Sequence, residues 1–317
     1  MSFQGKFAIP LFVVLSFFML SVLDCNLVQA EDPTSEEQLF IFELNRARNN
    51  PTQFQMENSL SVDLSSVAAQ PPLAVNGDLT GSAGFKAQEM ADNNYFAHES
   101  PISGWPNALA RSFEYNLASF LDDKANNIES IAAGSFSSFT QPLAPLVLLI
   151  VDEGVVPPGH RNHLLAIVEF WQNMREIGVG NGSNPSSDSK NYWSIQTGFD
   201  DNDEPFLTGV VYNDANGNGR YDLNEGLSGV TVSVGGIPTT TNSAGGWSIR
   251  TSSGSKTVQC NGGSFVGTST ANVTVGSDNV EVDFISGNSS GVVNFELIVT
   301  PTATITANGF RWACNSN

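Results

Sequence analysis

The sequence predicts an α+β fold in two parts, with helices and a few late strands up to about residue 200 and then a small all-β sandwich. Two observations carry this. Up to about Leu165 apolar residues recur at helical spacing, with β-type runs following only from Glu176. Beyond Phe199 an acidic connector, Asp200-Asp201-Asn202-Asp203-Glu204-Pro205, opens onto short β-type runs separated by Gly, Ser, Asn and Thr.

The first thirty residues form a separate segment. Lys6 precedes an apolar run from Phe7 to Leu23, and Val28-Gln29-Ala30 is a small-residue cleavage site before Glu31-Asp32. That order defines a secretory signal peptide over residues 1–30; an uncleaved membrane anchor is the alternative reading of the same run. Asp24 directly before Cys25 is not the small residue that lipoprotein processing needs. No later stretch is long and apolar enough to span a bilayer.

The elements follow in order. Thr34-Ser35-Glu36-Glu37 is a capping box, and Leu39, Phe40, Leu44 and Ala47 continue a helix that Asn50-Pro51 stops. Leu79, Ala83, Ala87 and Met90 share one face of a second helix. Leu143 to Val151 is a third apolar stretch, ending at Asp152-Glu153-Gly154. Glu176 to Gly180 and Tyr192 to Phe199 read as paired strands around a polar loop. After the connector, strand-type runs are Gly209–Tyr212, Gly229–Val234, Trp247–Arg250, Asn279–Phe284 and Val292–Val299. The expected divisions are 34–200 and 206–317.

Composition narrows the function classes. The 317-residue chain has 40% hydrophobic residues, enough for ordinary cores, and a net charge of −19. Such a surface repels phosphate backbones, and no basic stripe is present, which excludes nucleic acid as the expected partner. With Cys25 in the signal segment, Cys260 and Cys314 remain. An even pair in an oxidising compartment predicts a disulfide tying the C-terminus to the β part, with two buried thiols as the alternative.

The most specific local motif runs from Asp214 to Glu225. Oxygen-bearing side chains fall at loop positions 1, 3, 5, 9 and 12 (Asp214, Asn216, Asn218, Asp222, Glu225), with Gly219 at 6 and the Arg220 carbonyl at 7. This is the twelve-residue pattern that wraps Ca²⁺ in oxygens. The flanks are strands, so the loop is expected to stiffen a sheet. The segment, with Thr241-Asn242-Ser243-Ala244-Gly245-Gly246-Trp247, resembles the calcium-stiffened B-type repeats of bacterial surface adhesins over about residues 206–300.

All three histidines, His98, His160 and His163, lie in the first part. Their settings are Met90-Ala91-Asp92-Asn93-Asn94-Tyr95-Phe96-Ala97-His98 and Gly159-His160-Arg161. With Leu44-Asn45-Arg46-Ala47-Arg48, Pro72-Leu73-Ala74, Glu176-Ile177-Gly178-Val179-Gly180 and Tyr192-Trp193, they resemble, in order, the CAP superfamily (cysteine-rich secretory, antigen 5 and pathogenesis-related proteins) in its bacterial, SCP-type form. The resemblance covers about residues 36–200 and implies a three-layer αβα sandwich. It also implies a central cleft lined by two histidines and two acids, with a divalent ion able to bind between the histidines.

Carried over by motif, the cleft residues are His98, His160 and Glu129. Glu153 is the favoured second acid, with Asp152 behind it. Ser130 stands where the family has Asn. The spacer from His160 to Gly178 is longer than usual, which predicts an extended helix after His160. His163 is expected to be a packing or surface histidine.

Two neutral imidazoles can hold Zn²⁺ or a similar ion with positions left for water, and Glu129 or Glu153 is then the candidate base. Against this, His-Glu-x-x-His, Gly-x-Ser-x-Gly and a phosphate loop are all absent from the sequence. The leading expectation is therefore a secreted or surface-held, non-enzymatic protein that binds an extracellular lipid, glycan or protein. A metal-dependent peptidase and a calcium-dependent adhesion protein are the alternatives.

Overall fold

The computed structural model describes residues 30–295; Cys314 and all but the last residue of the expected signal peptide lie outside them. The chain mixes α and β structure, as its patterning predicts.

The first part contains α1 (Ser35–Asn49), α2 (Pro51–Glu57), β1 (Ala74–Val75), α3 (Gly77–Asn93), α4 (Pro106–Ser112), β2 (Glu129–Gly134), α5 (Leu143–Val151), α6 (Gly159–Leu164), β3 (Glu176–Ser183) and β4 (Asn191–Gly198). The capping box forms, with the Glu37 amide donating to Thr34 Oγ1 and the Thr34 amide donating to Glu37 Oε2 at 2.8 Å. Asn50 ends α1, and its side chain accepts from the Gln53 amide to start α2, with Pro51 in the first turn.

The four strands form one sheet in the order β1-β3-β4-β2, with β3 and β4 antiparallel. Strand alternation divides β3. Ile177 and Val179 pack with Phe40, Leu44, Leu149 and Trp193 in the main apolar cluster. Gly178, Gly180 and Gly182 turn the other way and lie directly against the backbone of α3.

The second part contains β5 (Phe206–Tyr212), β6 (Thr231–Val234), β7 (Ile237–Thr240), β8 (Gly246–Arg250), β9 (Gly254–Asn261), β10 (Thr268–Val275), β11 (Val280–Ile285) and β12 (Val292–Phe295). They form two four-stranded sheets, β10-β9-β6-β7 and β12-β11-β5-β8. One apolar cluster draws on both, with Leu207, Val211, Trp247, Val282 and Phe284 from one sheet and Val232, Val258, Cys260 and Val273 from the other. Cys260 is buried, carries no disulfide among the described residues, and has its thiol pKa pushed up to about 12 by burial.

The parts are not joined by the connector alone. On α1, Leu39 does not share the face of Phe40 and Leu44. It packs with Phe42 against Val210, Tyr212, Tyr221 and Ile285 of the β part. The run Leu39-Phe40-Ile41-Phe42 is apolar around the helix because α1 is covered on two sides. Polar contacts add to the seam. Buried Asn279 donates to the carbonyls of Pro72 (3.0 Å) and Arg175 (2.7 Å), and Ser248 Oγ donates to the Val75 carbonyl.

The helix after His160 is not extended. It stops at Leu164, Ala166 takes a left-handed φ of 48°, and the extra residues form a 3-10 turn, Glu169–Asn173. Trp171 of that turn packs against His163 and donates its indole N–H to the Asn127 carbonyl, which explains why the spacer folds back.

Candidate functional site

Two imidazole–carboxylate pairs define the site. His98 lies beyond the C-terminal end of α3, and its Nδ1 is 3.0 Å from Glu129 Oε2 on β2. His160 lies in the first turn of α6, with Nδ1 2.8 Å from Asp152 Oδ1. The imidazole side chains are 35% and 29% exposed while the carboxylates are 0% and 2% exposed. In each pair the acid lies behind the ring. No hydrogen bond reaches either Nε2 among the described residues.

This arrangement corrects the second acid. Asp152, not Glu153, holds His160. Asp152 ends α5 in the left-handed conformation (φ 49°), from which Oδ2 also accepts the His160 amide at 2.9 Å. Glu153 is exposed and takes no part. A signal for the choice lay in the sequence, because a short Asp side chain tolerates a left-handed helix terminus better than Glu.

Glu129 is deeply fixed. Its Oε1 accepts from Ser194 Oγ at 2.9 Å and from Gln196 Nε2 at 3.4 Å, while Asn126 brackets its backbone. Lys86, absent from the sequence-derived set, is buried beneath the first pair. Its Nζ donates to the His98 carbonyl (2.9 Å) and to Tyr95 OH (3.1 Å). Burial pulls the Lys86 pKa down, against the attraction of Glu129 and Glu89. Its being the one cation of α3, on the same face as Ala83, Ala87 and Met90, is the signal that could have pointed to it.

His163 is a packing histidine, as expected, and it is buried. Its two ring nitrogens meet Ser130 Oγ (2.8 Å) and Thr197 Oγ1 (2.7 Å), so Ser130 serves His163 and not Glu129. Burial lowers its pKa to about 3, helped by Arg48, His160 and His98, and the ring stays neutral.

The chemistry of the pairs fits a divalent cation in part. A carboxylate on Nδ1 fixes the tautomer that presents the Nε2 lone pair, which is how metal-bound imidazoles are ordinarily oriented. No group of three His, Cys, Asp or Glu converges as a ligand set among the described residues.

The Asp214–Glu225 loop is a separate cluster of oxygen-bearing side chains. Gly217 and Gly219 take left-handed φ of 74° and 75°, and Asp214 accepts from the amides of Asn218 and Gly219. Asn216 and Asn218 both turn their amides onto Asp222 Oδ2, at 2.8 and 2.6 Å. Their own side-chain oxygens accept the Asn218 amide (2.9 Å) and the Arg220 amide (2.7 Å), so the three side chains are tied into one turn. Glu225 accepts the Ala215 and Asp222 amides, one on each carboxylate oxygen. Arg220 turns its guanidinium away, to Glu57 of α2 at 2.8 Å, leaving its carbonyl as the only donor it can offer the loop.

No family model matches the chain, and no curated protein matches it. Among solved structures it is similar to an extracellular protein containing an SCP domain from Bacillus anthracis str. Ames, at 22% identity and a TM-score of 0.32. The likeness covers 51% of this chain and 41% of that one, so the chain matches about two fifths of that protein's length. Among the described residues no helix is long and apolar enough to cross a membrane.

Proposed function

We propose that this is an exported CAP-type binding protein, a three-layer αβα sandwich followed by a calcium-stiffened β sandwich, whose ligand docks on the His98 and His160 edges through a bound divalent ion. The observation that supports this reading is the pairing of two partly exposed imidazoles, each braced on Nδ1 by a buried carboxylate, with no hydrogen bond to either Nε2 among the described residues. The chemical class it suits best is an extracellular lipid, glycan or protein carrying an oxygen donor, which would complete the ion's shell.

Binding is favoured over hydrolysis by the state of the acids. A peptidase base must reach the metal-bound water, yet Glu129 spends both oxygens on His98, Ser194 and Gln196. Asp152 is likewise committed to His160 and its amide.

Calorimetric titration with Zn²⁺ tests the proposal. Wild type should bind one ion in the cleft, and His98→Ala with His160→Ala should abolish it. Asp152→Asn should weaken it by about 10–100-fold, the usual cost of losing a ligand's carboxylate partner. Glu153→Gln should bind as wild type. Zn²⁺ binding that survives the double histidine variant would overturn the reading.

The loop makes its own prediction. Ca²⁺ at a hundred times its Kd should stabilise the fold by about 2.7 kcal/mol, a rise in Tm of about 4–5 °C for a chain of this size. Asp214→Ala with Asp222→Ala should erase that rise in a calorimetric scan run with and without chelator. Because the Asn224 amide donates to Ser35 Oγ and Arg220 pairs with Glu57, chelation should also speed amide exchange at the start of α1.

A further inference from the structure

The face of β11 turned away from the β core carries an unassigned cavity. The strand alternates Val280, Val282 and Phe284 into the core with Glu281 and Asp283 on the other side. On an ordinary surface strand those acids would meet water. Here α1 and α2 cover them, and each is only 3% exposed. Between the helices and the strand remains a space of about 300 Å³, walled by Phe42, Asn49, Tyr212, Glu281, Asp283 and Asn294. Its rim carries the exposed Asn50 and Val292.

The polar groups there are unevenly satisfied. Asp283 accepts from the Val210 amide at 2.8 Å and from Asn294. Glu281, aimed into the same space, accepts no hydrogen bond among the described residues. The local cations are already taken. Arg46 pairs with Glu43 at 2.7 Å and with Glu57, and Arg220 pairs with Glu57. With all groups ionised, Glu43 and Glu57 take up the two guanidiniums and leave Glu281 without an ion-pair partner, and a buried unpaired carboxylate is costly.

We propose that this cavity is a binding site for a small organic cation, an ammonium or guanidinium group that pairs with Glu281 and lies against the Phe42 and Tyr212 rings. Aromatic faces attract such cations, and the space is large enough for a short amine with a water or two. A bare Ca²⁺ fits less well. It needs six or more oxygens, whereas both Asp283 oxygens already accept N–H groups and only Glu281 is uncommitted.

The full exported chain, titrated by calorimetry with agmatine and with n-butylamine at pH 8, tests this. Both should bind, and Glu281→Gln should weaken them by roughly tenfold or more, as expected when one partner of a buried charge pair is removed. His98→Ala should leave them unchanged, which separates this site from the cleft. Acidification to pH 5 should weaken binding. The charged groups acting on Glu281 are Asp283 on its own strand and Arg46 of α1; Tyr212 of β5 and Arg220 of the loop share the cavity wall, and Glu43 of α1 and Glu57 of α2 stand behind the two arginines. Of these, Glu281 and Asp283 are the buried acids that take up protons as the pH falls.

A second readout needs no variant: agmatine should raise the wild-type Tm at pH 8 and not at pH 5. Absence of amine binding at millimolar concentration would overturn the proposal. So would affinity unchanged in a folded Glu281→Gln protein, or agmatine displaced by Ca²⁺ in the Asp214→Ala, Asp222→Ala background.

Discussion

Gly180→Ala should prevent this protein from folding to a soluble native state. A Cβ at Gly180 would lie 2.2 Å from the Ala83 carbonyl carbon and 2.2 Å from the Gly84 nitrogen. These are backbone atoms of α3, so no side-chain rotation relieves the overlap. The neighbours in the row are no looser, with Gly178 meeting Leu79 and Thr80 and Gly182 meeting Ala87 and Gln88 in the same way. The helix could escape only by lifting off β3 along the whole row, which would also pull Leu79 and Met90 from their apolar clusters. Ordinary overpacking costs about 1–3 kcal/mol where side chains can shift. Against immovable backbone the cost is about 4 kcal/mol or more, comparable with the roughly 5–15 kcal/mol that holds a typical native state together. Soluble yield and urea denaturation should show it directly. Gly276→Ala, where an added Cβ meets nothing within 4 Å, should remain within about 0.5 kcal/mol of wild type.

The same strand shows what could be read in advance and what could not. The alternation of Ile177 and Val179 with small residues marked β3 as a strand, and the partner strand followed from Tyr192 to Phe199. That the glycines exist to admit a helix backbone depends on α3, whose position no local pattern encodes. The capping box at Thr34 and Glu37 was fully local and was legible to the residue. The second apolar side of α1 was written in Leu39-Phe40-Ile41-Phe42, but a one-sided helix would have tolerated the same run. In the site, His98, His160 and Glu129 were legible through motif order, while Asp152 depended on a backbone conformation and Lys86 on a fold-back. β2 is a short run of small residues, and β10 turns Ser269 and Ala271 inward among its valines, so neither carried enough apolar contrast to stand out. β9 turns inward only at Val258 and Cys260.

The paired variant Glu281→Gln, Asp283→Asn should be more stable than wild type at pH 8 and equal to it near pH 4. Burial is the main cause of the raised pKa in both carboxyls; Asp283 also pushes Glu281 up, and hydrogen bonds from Val210 and Asn294 pull Asp283 down only in part. Asp283 is moved from 3.8 to about 7, and Glu281 goes well above its ordinary value. In both cases the folded chain keeps protons that the unfolded chain releases. Stability from these groups is therefore complete below the unfolded value of about 4 and is lost as pH rises through the folded value. At about 1.4 kcal/mol for each pH unit between those limits, Asp283 accounts for about 4 kcal/mol, and the two acids titrate as a linked pair. His163 works in the opposite sense. Its folded pKa of about 3 means that stability is lost as pH falls below about 6.5, when the unfolded imidazole gains a proton. Between pH 4 and 6.5 the two effects oppose each other in wild type, and a simple pH–stability curve would conceal both. Subtraction exposes the acids, because His163 is unchanged in the variant. Denaturant midpoints measured for both proteins from pH 4 to 8 should diverge steadily, with the variant ahead by several kcal/mol at the alkaline end. A variant no more stable than wild type at pH 8 would mean that the two carboxyls are ionised and satisfied in the folded chain.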